Sequence, residues 1–180
     1  MAVLGKMNSR LGFYTPIGCE ILNLLLNLTT KVVPLLSPIQ NVNAAQQATN
    51  IEIATKIAAV VNLFKCQFPD ARADLKPWSN DPDTRKLVDP DSIDIGFHLP
   101  GWSPRFQCRS ILVQIRFYQD PVDTSRRAIG VETAGFNHQG IAWRFSTVES
   151  WNFEGECQPV ADICEKLKHF CRQVFELFNG

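Results

Sequence analysis

The chain has 180 residues, of which 45% are hydrophobic and 20% charged, a composition that suits one globular domain spanning 1–180 and excludes a disordered chain. Eighteen basic residues balance eighteen acidic ones, so no strong field reaches toward a polyanion, and neither nucleic acid nor an anionic membrane is an expected partner. A chain this long can bury a full core without disulfides or a structural metal.

Thr15-Pro16 opens a first helix, with a hydroxyl to cap free N–H groups and proline at the first helical position. The helix is expected to run from Pro16 to Val33, because Pro34 and Pro38 cannot continue it. Lys6 and Arg10 ahead of the apolar run Ile21–Leu28 have the outline of a secretion signal. However, Glu20, Asn23, Asn27 and Lys31 keep a polar stripe on one helix face, which a signal peptide or membrane span has no reason to retain. The expectation is therefore no signal, no membrane span and a cytoplasmic location. The remaining arc (Ile17, Ile21, Leu22, Leu24, Leu25, Leu26, Leu28, Val32, Val33) is wide enough to demand burial within the fold or against a second copy.

A second helix is expected from Asn43 to Phe64 or just beyond, with Ile53, Ile57, Val60, Val61 and Phe64 at helical spacing and Pro69 ending it. Residues 1–68 thus form a helical N-terminal part. Residues 69–91 read as a loop rich in proline and aspartate, held to the body by Trp78.

The period then changes from 3.6 to 2. Ile93, Ile95, Phe97 and Leu99 alternate with polar or small residues, as do Ile111, Val113, Ile115 and Phe117. Ile129, Val131 and Thr133, then Ile141, Trp143, Phe145 and Thr147, continue the pattern. Four strands joined by short turns over 92–152 predict an antiparallel meander with one apolar face. A last helix over 158–179, with Pro159 near its start, carries the stripe Ile163, Leu167, Phe170, Val174 and Leu177 toward that face. The predicted fold is α+β with element order ααββββα. The opposite sheet face would hold Gly96, Gly130, Ala134 and Ala142 beside Gln114, Arg116, Glu132 and Arg144.

Chemistry-bearing motifs are scarce. His98, His138 and His169 fall on different elements, and no pattern sets a nucleophile beside a base. The aspartates at 81, 83, 89, 91 and 94 lack the glycine and terminal glutamate of a calcium loop, and two Asp-Pro steps interrupt them. No glycine-rich phosphate loop is present. The cysteines at 19, 66, 108, 157, 164 and 171 contain no Cys-x-x-Cys pair and read as reduced apolar filler. The expectation is no catalytic residue, no metal and no cofactor.

The segment 99–109 concentrates Trp102, Arg105, Phe106 and Arg109 around a proline-rich turn, residue types enriched where proteins grip partners. Its plainer reading is a hairpin whose Trp folds back on the core. Two functional readings follow. The leading one is a non-enzymatic interaction or assembly module, homodimeric or bound to another protein. The alternative is a small-molecule-binding protein or enzyme whose pocket lies between the sheet and the N-terminal helices. There Arg116, Arg144, Glu132 and His98 supply polar groups, and the loop around Trp78 acts as a lid.

Overall fold

The computed structural model describes residues 42–78, 91–121 and 126–180. The helix expected over 16–33 lies outside them. In chain order the elements are α1 (Ala44–Gln47), α2 (Ile51–Gln67), β1 (Arg72–Asp74), β2 (Ser92–Ser103), β3 (Cys108–Gln119), β4 (Arg126–Asn137), β5 (Gly140–Ser146), β6 (Phe153–Gly155) and α3 (Ala161–Asn179). The strands form one antiparallel sheet in sequence order, so the α+β class holds. No helix among the described residues is long and apolar enough to cross a membrane.

The sheet has six strands where four were expected. The additional ones, β1 and β6, are three-residue edges that pair with β2 and β5. Such segments are too short to show a period of two and are defined by their partners. β1 also shortens the loop expected over 69–91. The single helix expected from Asn43 is divided, because Asn50 takes extended backbone and its side chain accepts a hydrogen bond from Ile53 N at 2.9 Å. That cap starts a new helix and leaves α1 as one isolated turn.

Both long helices lie on one face of the sheet. Phe64 of α2 stacks on Phe97 of β2 with ring centroids 3.8 Å apart and meets Phe170 of α3 edge-on at 5.2 Å. Ile163, Leu167, Phe170 and Val174 are buried as the stripe requires. The second helix therefore stands on the core side and, among the described residues, does not cover the polar face of the sheet; the first N-terminal helix, the other wall of the expected pocket, lies outside them.

Two β-bulges reset the side-chain alternation. Arg116 pairs with Gly130 but Phe117 pairs with Ala128, so Ile129 is the extra residue of β4 and turns outward while Ala128 enters the core. Gly135 pairs with Trp143 but Phe136 pairs with Ile141, which makes Ala142 the extra residue of β5. Ala142 is buried with the core rather than placed on the polar face, and Ile141 takes that position. Trp143 lies over Gly135, where any Cβ would run into the indole ring, and its Nε1 donates to Phe106 O at 2.7 Å.

Candidate functional site on the open sheet face

The face away from the helices is organised by register. One rung runs Asp94, Gln114, Glu132, Ser146 across β2 to β5. These four polar side chains share a face because every strand alternates. Asp94 and Ser146 are buried, and Glu132 is only 4% exposed.

Buried carboxyl groups are costly unless they are hydrogen-bonded. Glu132 Oε1 accepts from Arg116 Nη1 at 2.9 Å and Ser146 Oγ at 3.1 Å. Its Oε2 accepts from Arg144 Nη2 at 2.7 Å and Nε at 3.2 Å. Burial alone would raise the Glu132 pKa, but hydrogen bonds and charge from Arg144 and Arg116 outweigh it and hold the carboxyl below its ordinary range. Arg144 is shifted upward in return, chiefly by its hydrogen bonds to Glu132, and its Nη2 also lies 3.3 Å from Glu149.

Asp94 accepts from three neutral donors among the described residues. Ser92 Oγ donates to its Oδ1 at 2.5 Å, while Trp78 Nε1 and Gln114 Nε2 donate to its Oδ2 at 2.5 and 3.2 Å. Trp78 N also donates to Asn43 Oδ1 at 3.1 Å. Trp78 thus anchors its segment as expected. Residues 79–90, the rest of the expected lid, lie outside the described residues.

Arg116, Glu132 and Arg144 line a depression of about 250 Å³ together with Gln114, Leu112, Ala134, Phe136 and Ile141. Trp78 and His98 line a second, of about 170 Å³, with Asp74, Pro77, Gly96, Ser110, Leu112 and Phe136. The two share Leu112 and Phe136 and so form adjoining parts of one groove. His98 Nε2 is 3.3 Å from Asp74 Oδ2. Ser110 stands opposite His98 in the register, but no hydrogen bond joins them.

Residues 99–106 of the 99–109 segment sit elsewhere, lining another groove with Phe68, Pro69 and Ile163, and Arg109 is not part of it. Phe106 is buried and meets Phe68 edge-on at 5.0 Å. Arg105 pairs with Asp162 at the start of α3, and its carbonyl accepts from Val160 N at 2.9 Å. Arg109 is exposed, and Trp102 remains 47% exposed, so the ring that folds back is Phe106 and not the expected Trp.

No group of three or more His, Cys, Asp or Glu among the described residues is arranged to hold a metal ion. The five described cysteines are free thiols. Burial pushes Cys108 up to about 12 and moves Cys171 and Cys164 upward as well, which disfavours the nucleophilic thiolate. Asp74, Asp94, Ser146, Phe136 and Ile141 were not among the sequence candidates. Cross-strand register is what assembles them, and the one-residue bulge at Ala142 hides Ile141 from a simple alternation.

The chain belongs to the protein family whose model matches residues 45–180, described as a domain of unknown function. No curated protein matches the chain, and no solved structure does.

Proposed function

We propose that the chain is a non-enzymatic binding module whose site for a small molecule is the open face of the sheet. Family membership assigns no activity, so geometry carries the reading. The decisive observation is that Arg116 and Arg144 converge on the buried Glu132 beside an apolar floor of Leu112, Ala134, Phe136 and Ile141. A mostly apolar concavity with a few fixed polar groups is the usual form of a ligand site. Glu132 holds both guanidinium groups in place before any ligand arrives, which lowers the ordering cost of binding.

The test is thermal unfolding against a panel of metabolites, because a ligand that binds only the folded state raises the midpoint. A ligand raising the midpoint of the natural protein and not of Arg144→Gln supports the site. An equal rise in both proteins, or no rise with any compound, contradicts it.

Self-association as a homodimer is the competing proposal. Its support is the wide apolar arc over 16–33, which belongs to the sequence alone. Native mass spectrometry separates the two, since a dimer without added mass favours association and a monomer with added mass favours the pocket.

A further inference from the structure

We infer that the groove takes an extended zwitterion: an organic molecule with an ammonium group at one end, an acid group at the other and an apolar chain between. The inference rests on the binding reading above and names the ligand class for that site.

A second rung of the sheet carries it. Asp74 pairs with Gly96, Gly96 with Leu112, Leu112 with Ala134, and Ala134 with Arg144. An acid and a base therefore stand at opposite ends of one line across five strands, with only small or apolar residues between them.

The acidic end is ready for a cation. Asp74 Oδ1 accepts from Lys76 N at 2.8 Å and Oδ2 faces His98, but no Lys or Arg among the described residues pairs with this carboxylate. Trp78 and Phe136 line the same depression, and aromatic faces attract organic ammonium groups. The bond from Trp78 Nε1 to buried Asp94 fixes the indole there.

The basic end is ready for an acid. Arg144 spends Nε and Nη2 on Glu132 and Glu149, which leaves Nη1 without a partner among the described residues. Arg116 stands beside it across Glu132. Leu112 and Phe136, common to both depressions, would contact the chain of the ligand. Ala134 keeps the floor low beside Arg144, while at the acidic end Pro77 packs over Gly96 and walls the depression.

Register also sets the length. Four strand spacings of about 4.8 Å separate the Asp74 and Arg144 backbones by about 19 Å; Asp74 reaches His98 on β2 and Arg144 reaches Glu132 on β4, which leaves about two spacings, roughly 10 Å, between the charges. Short amino acids cannot span that gap.

The test is isothermal titration calorimetry of the full chain with four probes: ω-aminooctanoate, octanoate, octylamine and γ-aminobutyrate. We expect ω-aminooctanoate to bind tightest, with each charged end adding about fivefold, as partly exposed charge pairs do. Asp74→Asn, at a partly exposed edge strand, should reduce ω-aminooctanoate to the affinity of octanoate and leave octanoate itself unchanged. Equal binding of octanoate and ω-aminooctanoate to the natural protein overturns the zwitterion and leaves the binding site standing. So does silence from all four probes while another compound still binds through Arg144. Failure of the metabolite panel as well removes the binding reading itself.

Discussion

Trp78 Nε1 donates to Asp94 Oδ2 at 2.5 Å, tying an aromatic ring that walls the groove to a fully buried carboxylate inside the sheet. One bond thus serves both the fold and the groove wall. Trp78→Phe keeps a ring of similar shape and removes this donor. Removing one partner of a buried acceptor costs on the order of 1–3 kcal/mol, so urea unfolding at neutral pH should show a loss of that size. An unchanged midpoint would mean that the bond is not formed in solution.

Glu132 connects stability to pH. Its carboxyl is held below the ordinary range by Arg144 and Arg116 against the effect of burial. A lowered folded-state pKa contributes stability that is full above the unfolded value, about 4.3 for glutamate, and lost as pH falls through the folded value. Glu132→Gln should therefore cost about 2 kcal/mol at pH 7, less than a fully buried pair because both arginines are partly exposed. The gap between the two proteins should close as pH drops below about 4. A gap of constant size down to pH 3 would contradict the ionised assignment.

Thr133 stands on the core side of β4, paired with Val113 and Phe145, and its buried hydroxyl has no hydrogen-bond partner among the described residues. A buried hydroxyl without a partner costs about 1–3 kcal/mol relative to an apolar group of the same shape. Thr133→Val should stabilise the protein by about 1 kcal/mol, raising the melting midpoint by roughly 2–4 °C for a chain of this size. A fall in the midpoint would show that the hydroxyl is satisfied.

Phe106 and Trp102 lie four residues apart and should answer truncation differently. Phe106 packs on Phe68 in the core, so Phe106→Ala should cost about 3–5 kcal/mol. Trp102 is 47% exposed, and Trp102→Ala should stay within about 1 kcal/mol. Chemical denaturation of the two variants side by side checks the order.

The pattern of Ile93, Ile95 and Phe97 and its counterparts in β3 and β5 made the apolar face legible in the sequence, because alternation over a long strand reports one buried side. The stripe of α3 was legible for the equivalent helical reason. β1 and β6 were not, since three residues carry no period and exist as strands only through their partners. The bulges at Ile129 and Ala142 escaped because one extra residue changes no composition, yet it reverses which side chain faces the core. Arg116, Glu132, Arg144 and His98 were singled out from the expected face of each strand, and Trp78 as the one tryptophan of the 69–91 loop. Their separation from Trp102, Arg105, Phe106 and Arg109, and the entry of Asp74 and Asp94, required the pairing register. Local sequence does not encode that register, which follows from which strands meet and at what offset.

The central claim is that small molecules bind on the open face and not within the helix-covered core. The four tryptophans offer a direct reading through their indole N–H resonances in a protein labelled with nitrogen-15 at tryptophan. Trp78 donates to Asp94 at the groove, whereas Trp143 donates to the Phe106 carbonyl in the core. Titration with a ligand that raises the melting midpoint should move the Trp78 indole signal and leave the Trp143 signal in place. Movement of Trp143 with Trp78 unchanged would put the ligand on the wrong side of the sheet and contradict the claim.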